Sequence, residues 1–222
     1  MTARRATLPQ HPPRVLLTGF EPFDGADLNP SWEVARALDG ELIAGAQAVA
    51  RQLPTTFAGA PVALAAALRA LRPVAVVALG LAGGRAAVSV ERVSINVIDA
   101  RIPDNAGEQP IDQPVVPGGP LAYRSTLPIK AIVARLREQG IAAEVSQTAG
   151  TFVCNQVFHA LMHALRRRPG VRAGFIHLPL LAGSPGTVQG IGLSQQVLAV
   201  RLAIDTTLRQ AADLAAAEGA VS

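Results

Sequence analysis

The chain has 222 residues, half of them hydrophobic, and a formal net charge of +4 from 20 basic and 16 acidic side chains. This length and apolar content are sufficient for one α/β domain with a sizeable core. Gly, Pro or Arg interrupts every apolar stretch before the roughly 18 consecutive residues that a membrane span needs. We therefore expect a soluble protein with no membrane partner.

The basic residues do not form the pattern of a nucleic-acid site. All of them except Lys130 are arginines, and most stand singly in apolar segments, apart from "RRR" at 166–168 near a predicted helix end. Trp32 and Tyr123 are the only residues of their types, so few aromatic rings are available to stack on bases. We expect no nucleic-acid partner.

The first residues are rich in arginine but lack the apolar core of a secretory signal. We interpret residues 1–13 as a disordered extension and residues 14–222 as a single domain. One cysteine cannot form an internal disulfide, which agrees with a reducing compartment. These features predict a cytoplasmic protein.

Strand-like and helix-like segments alternate along the chain. Strands are predicted at 14–20, 41–53, 73–80, 86–100 (with a turn inside it), 141–146 and 171–180. Helices are predicted from Pro30, capped by Asn29, to Gly40, and at 59–71, 127–140, after 150 and from Leu193 to Ala217. Residues 101–125 are interpreted as a long irregular loop. The alternation predicts a three-layer α/β/α sandwich around a central, mixed but mostly parallel sheet.

The only cysteine, Cys154, falls in the first turn of a predicted helix, where the helix dipole stabilises a thiolate. That dipole contributes about 0.3 to 1 kcal/mol, whereas lowering a thiol pKa by about two units needs roughly 2.7 kcal/mol. A nucleophilic role therefore requires a histidine partner. The alternative interpretation is a small buried hydrophobe.

The positions of the four histidines favour one of them as this partner. His11 lies in the extension, and His159 and His163 rise along the helix away from its N-terminus. His177 lies near the C-terminal end of the next strand, the edge at which α/β sheets gather functional residues. We expect His177 to meet Cys154 across one β-α-β unit.

Glu91 lies within an otherwise apolar, strand-like segment, "VSVERVSIN". A buried carboxylate needs a partner, and an imidazolium would both pair with it and be oriented by it, as in a catalytic triad. The alternative is a surface salt bridge with the neighbouring Arg92.

Several blocks of sequence resemble one known family. "TGFEPFDG" followed by "NP", "GLAGGR", "ERVSINVIDARIPDNAG", "SQTAGTFVCNQ" and "GFIHLP" lie between residues 14 and about 180. In these blocks the chain resembles the type I pyroglutamyl peptidases, also called pyrrolidone-carboxylate peptidases. The resemblance implies a cysteine exopeptidase that removes N-terminal pyroglutamate, with Cys154, His177 and Glu91 as its triad and without a metal or cofactor. It also implies a homo-oligomer, either a dimer or a tetramer.

A pyroglutamyl group is a neutral lactam, so its pocket should have apolar walls and a few amide-like partners. Phe20, Phe23 and Phe152 lie in the matching motifs and are candidate walls, with Asn29 as a brace for the loop. Leu81 stands where the family usually has glutamine, and the loss of an amide partner there would cost about 1 to 3 kcal/mol. The segment after His177 also differs from the family pattern.

For the oxyanion, the backbone N–H of Cys154 is the natural donor. The resemblance adds Arg101, whose alternative role is to anchor its loop.

Two other functions remain open from the sequence. One is a pseudo-peptidase that binds blocked peptides without cleaving them, suggested by Leu81. The other is a metal hydrolase, because His159 and His163 are spaced at i and i+4 on one helix, although the glutamate usual in such a motif is absent from "HALMH".

Overall fold

The computed structural model describes residues 12–184 and 190–219. Its strands are β1 Arg14–Phe20, β2 Leu42–Ile43, β3 Ala46–Leu53, β4 Ala75–Leu81, β5 Val88–Glu91, β6 Val93–Ile95, β7 Ala122–Arg124, β8 Ala143–Ser146 and β9 Arg172–Leu178. Its helices are α1 Pro30–Ala37, α2 Gly59–Leu71, α3 Ile129–Glu138, α4 Val153–Leu165 and α5 Leu193–Arg209.

Seven strands form the central sheet in the order β2-β3-β1-β4-β9-β5-β8. The pairs β3-β1, β1-β4, β4-β9 and β5-β8 run parallel, whereas β2-β3 and β9-β5 run antiparallel. This confirms the prediction of a mixed, mostly parallel sheet. The antiparallel step between β9 and β5 matters for the site, because it brings the end of β5 beside β9.

Helices cover both faces of the sheet. Since successive strand residues point to opposite faces, Leu17 and Ile176 pack in one cluster with α1, α3 and α5. Leu16 and Phe175 pack in a second cluster with α2 and α4. The three-layer α/β/α sandwich is therefore confirmed, and the face with α2 and α4 is called the α4 face below.

Local sequence signals explain where two of the helices begin. The side chain of Asn29 accepts a hydrogen bond from the backbone N–H of Ser31, and Pro30 occupies the first position of α1. Before α4, Gly150 adopts a φ of 75°, a left-handed conformation that favours glycine. This bend turns the chain from β8 into the helix that carries Cys154.

The structure corrects two predicted elements. The segment 101–125 is not wholly irregular, because it contains β7, which pairs with β6 in a small second sheet. The final helix ends at Arg209 rather than Ala217. Beyond it, the carboxylate of Asp213 accepts hydrogen bonds from the backbone N–H groups of Lys130 and Ala131 at the start of α3. These bonds draw the segment after Arg209 away from the axis of α5.

Two further predictions are refined. The predicted strand at 41–53 is divided into β2 and β3 by a turn at Ala44 and Gly45, and the stretch 86–100 contains the separate strands β5 and β6. The proposed extension at 1–13 lies outside the described residues except for its last two. Among the described helices, none combines the length and apolar character needed to cross a bilayer.

Candidate active site

Cys154 lies in the first turn of α4, as predicted, and its side chain points toward the end of β4. A Cβ atom placed on Gly80 would come within 2.8 Å of the Cys154 Sγ. Gly80 therefore leaves the space that the sulfur occupies. The residue that precedes α4, Phe152, makes no side-chain cap to the helix, so no side chain from this position covers the N–H groups of the first turn.

His177 lies beside this glycine in the sheet. Strands β4 and β9 are parallel, and Gly80 is the register partner of His177. Paired residues in neighbouring strands point to the same face, so His177 is directed to the α4 face, where its ring lies 4.8 Å from that of Phe175. The fold thus brings the cysteine and the predicted histidine to one end of one face of the sheet.

Glu91 is the last residue of β5 and is fully buried. The antiparallel pairing of β5 with β9 places its carboxylate next to His177, whose Nδ1 lies 2.7 Å from Oε1 of Glu91. The alternative surface pair with Arg92 is wrong, because the Arg92 side chain instead donates to Gln147 and to the carbonyl of Glu218.

Arg85 is a residue of this site that the sequence analysis missed. Its Nη1 donates to Oε1 of Glu91 at 2.8 Å, and its Nη2 donates to the carbonyl of Thr148 at 2.8 Å. The requirement that a buried carboxylate be paired could have pointed to an arginine in the adjoining "GLAGGR" turn. Oε2 of Glu91 is buried and has no hydrogen-bond partner among the described residues.

The electrostatic environment of the thiol differs from the sequence-based expectation. The pKa of Cys154 is raised to about 12, first by burial and second by the negative charge of Glu91, while the positive charge of Arg85 acts in the opposite direction. The sequence analysis expected a histidine partner to lower this pKa, and the direction in the structure is the opposite. The Cys154 side chain is half-buried, and its surroundings favour the neutral thiol over the thiolate.

Beside Cys154 lies a small cavity. All five predicted pocket residues line it, together with Thr55, Val153 and Cys154 itself; the five are Phe20, Phe23, Asn29, Leu81 and Phe152. The Phe152 ring lies 6.3 Å from Phe23 and meets Phe57 edge-on at 5.1 Å. The cavity is therefore walled mainly by apolar side chains, three of them aromatic.

The polar side chains that line this cavity already form hydrogen bonds within the protein. The Asn29 amide donates to the carbonyl of Glu21 at 3.1 Å, and its oxygen accepts from Ser31, so Asn29 braces the loop as predicted. Thr55, which the sequence analysis did not single out, donates its hydroxyl to the same Glu21 carbonyl. An isolated threonine in a loop gave no signal for this role.

Phe20 belongs both to the cavity wall and to the core. It is the last residue of β1 and only 2% exposed. Phe23 and Phe152 are half-buried.

Arg101 is not brought into contact with the triad residues. Its side chain is exposed and makes no hydrogen bond to another described residue. The preceding Asp99, however, exchanges backbone and side-chain hydrogen bonds with Thr151, three residues before Cys154. Arg101 therefore lies on a segment fastened to the start of α4.

The two helical histidines have other partners. His159 is fully buried, with its Nδ1 3.3 Å from the Ser94 hydroxyl, and His163 Nδ1 lies 2.8 Å from the Tyr123 hydroxyl. His159 is thus a core residue rather than a surface one. Within the described ranges no group of three or more His, Cys, Asp or Glu side chains could hold a metal ion, so the geometry does not support a metal hydrolase at this helix.

Comparison with known sequences decides which family this is. A model of the family described as "Pyroglutamyl peptidase" matches residues 13–210. The chain belongs to the pyroglutamyl peptidase family.

Relatives with this name are similar over almost the whole chain. A pyrrolidone-carboxylate peptidase of Klebsiella pneumoniae is 57% identical, covering 90% of this chain and 94% of its own length. One of Chromobacterium violaceum is 58% identical, covering 90% of this chain and 94% of its own length. The crystal structure of pyroglutamyl peptidase I from Bacillus amyloliquefaciens has a TM-score of 0.90 at 40% identity, covering 92% of this chain and 99% of that one.

Proposed function

We propose that this protein is a cysteine exopeptidase that removes an N-terminal pyroglutamyl residue from peptides. The observation that carries the proposal is the position of Cys154, between an apolar, aromatic-walled cavity and the buried His177–Glu91 pair. A family member with these three residues at one end of the sheet has the groups needed for acyl transfer.

The cavity suits the acyl part of such a substrate. A pyroglutamyl ring carries no charge, and the walls formed by Phe23, Phe152 and Leu81 offer it apolar contacts without an acidic group for an α-ammonium. Because the side chain of Asn29 is already bonded within its loop, the lactam N–H and C=O are expected to bond to backbone groups. We retain Leu81 as a residue of this pocket.

The first half of the reaction begins from the Cys154 thiol, whose pKa is raised by burial and by the charge of Glu91. His177, with Nδ1–H donated to Glu91, has Nε2 free to accept the proton from Sγ as the sulfur attacks the pyroglutamyl carbonyl carbon. A C–S bond forms, the peptide C–N bond breaks, and the proton on His177 passes to the leaving amine. Glu91 stabilises the imidazolium and does not take the proton itself.

The second half hydrolyses the acyl-enzyme. His177 removes a proton from water, and the resulting hydroxide adds to the thioester carbon. The C–S bond then breaks to release pyroglutamate, and the proton on His177 passes to Sγ to restore the thiol. In both halves the backbone N–H of Cys154 is the proposed oxyanion donor, because no side chain caps it from Phe152. Arg101 is retained as a second proposed contributor near this end of α4.

The test compares release of an amine from pyroglutamyl, prolyl and glutamyl amides by the wild-type protein and by Cys154→Ser. We expect turnover of the pyroglutamyl amide alone, its loss in the variant, and no effect of a chelator. Binding of a pyroglutamyl peptide without turnover would instead establish the pseudo-peptidase. Turnover that survives Cys154→Ser would remove the cysteine from the mechanism.

The remaining expectations belong to the same proposal: a homo-oligomer in the cytoplasm, built on a single domain from residue 14 onward. The mass in solution, measured by light scattering, tests the first of these. A monomer at micromolar concentration would contradict it.

A further inference from the structure

Arg85 connects three segments that meet at the proposed active site. It follows the turn at the end of β4, where its backbone N–H donates to the carbonyl of Ala82. Its guanidinium then donates to Glu91 at the end of β5 and to the carbonyl of Thr148 in the loop between β8 and α4. Arginine suits this position because its two terminal nitrogens can bond to two acceptors at once.

The carboxylate that Arg85 contacts has two opposite effects on catalysis. Through Oε1 it holds His177 at Nδ1 and so orients the imidazole. Its negative charge also disfavours a thiolate at Cys154, whereas the positive charge of Arg85 favours it. Without a cation beside Glu91, the charge that orients the base would make the nucleophile harder to ionise.

We propose that Arg85 is a positioning residue of the pyroglutamyl peptidase reaction, which holds Glu91 against His177 and offsets the repulsion between that carboxylate and the Cys154 thiolate. The inference rests on the proposed function in taking Cys154 as the nucleophile. The charges that act on the sulfur are those of Glu91 from β5 and Arg85 from the β4 turn. His177 of β9 is the register partner of Gly80, above which the sulfur lies.

The matched control is Arg92, the residue after Glu91. Its side chain joins the end of β5 to Gln147, which lies in the same loop as Thr148, but it does not contact Glu91. Arg92→Gln therefore removes one positive charge, one link between the same two segments and the contact with the Glu218 carbonyl, and it leaves the triad untouched. Arg85→Gln removes the charge at the site, and Arg85→Lys keeps the charge but can make only one of the two contacts at a time.

The decisive measurement is the rate at which iodoacetamide alkylates Cys154 at pH 8, because this neutral reagent reports thiolate content and needs no pyroglutamyl substrate. A rise of about one unit in the thiol pKa lowers the thiolate fraction about tenfold, partly offset by greater nucleophilicity, so Arg85→Gln should react roughly three- to tenfold more slowly. We expect Arg85→Lys and Arg92→Gln to react within about twofold of the wild-type rate.

Turnover provides the second readout. We expect kcat for a pyroglutamyl amide to fall about tenfold or more in Arg85→Gln and by an intermediate amount in Arg85→Lys, with KM changed less. Circular dichroism and thermal unfolding identify folded variants; if Arg85→Gln does not fold, the Lys variant and the control still provide the comparison. Equal alkylation rates in Arg85→Gln and wild type, or an equal decrease in Arg92→Gln, would overturn the inference. Absence of pyroglutamyl turnover in the wild type would refute the proposed function, while the alkylation rates would still test Arg85.

Discussion

Gly80→Ala places a methyl group between two atoms that have no room for it. The new Cβ would lie 2.8 Å from the Cys154 Sγ and 2.7 Å from Cζ of Phe175, whereas ordinary contacts between such atoms begin at about 3.5 Å. The roughly 0.7 Å of relief at the sulfur must come from Cys154, while the contact with Phe175, which is fully buried, overpacks the core. Overpacking of this kind costs about 1 to 3 kcal/mol of unfolding free energy, and a misplacement approaching 1 Å can lower kcat about 100-fold.

Gly84→Ala is the control, since a Cβ atom there would meet nothing within 4 Å. Denaturant unfolding measures the stability of both variants, and hydrolysis of a pyroglutamyl amide measures kcat and KM. We expect Gly84→Ala to match the wild type in both assays. If Gly80→Ala retained wild-type kcat and stability, the sulfur would not occupy the space above this glycine and the geometry of the site would be wrong.

Three further predictions concern the groups around this cysteine. Glu91→Gln keeps the shape of the side chain but removes its charge, so kcat should fall about 10²- to 10⁴-fold with less change in KM in steady-state kinetics; a loss below threefold would exclude a role for the charge. His163→Gln should leave kcat/KM within about twofold, with or without a chelator, because among the described residues the His163 side chain bonds to Tyr123 alone, toward the C-terminal end of α4; a metal hydrolase would lose activity. Burial, reinforced by the charge of His163, lowers the pKa of His159. The unfolded chain therefore binds a proton near pH 6.5 that the folded protein does not, and the free energy of unfolding should decrease as the pH falls below 6.5. Denaturant unfolding measures this, and a stability that does not change with pH would contradict it.

The order of strands and helices could be predicted because the apolar segments are well separated by turn residues. Cys154 at a helix start, His177 at a strand end and Glu91 in an apolar strand each carried a local signal, and the observed sheet brings all three to one place. The sheet order itself has no local signal. The antiparallel placement of β5 beside β9, which joins Glu91 to His177, depends on tertiary packing.

The wrong predictions also arise from tertiary contacts that have no local signal in the sequence. Residues 210–217 are rich in alanine, which favours a helix, but Asp213 gains two backbone hydrogen bonds at the start of α3 and Arg172 donates to the carbonyl of Ala211. Strand β7 is only three residues long and shows no alternation, so only its pairing with β6 defines it. The pKa of Cys154 was misjudged because helix position is visible in the sequence and burial beside Glu91 is not.

Because the pKa of Cys154 is raised, the resting sulfur carries less thiolate than a free cysteine and is chemically less reactive. Peroxides attack thiolates far faster than thiols, so the resting protein should accumulate little sulfenic acid during oxidative stress. The same surroundings that raise the pKa of the only cysteine therefore protect it from oxidation between turnovers. No second thiol is present in the chain to reduce it.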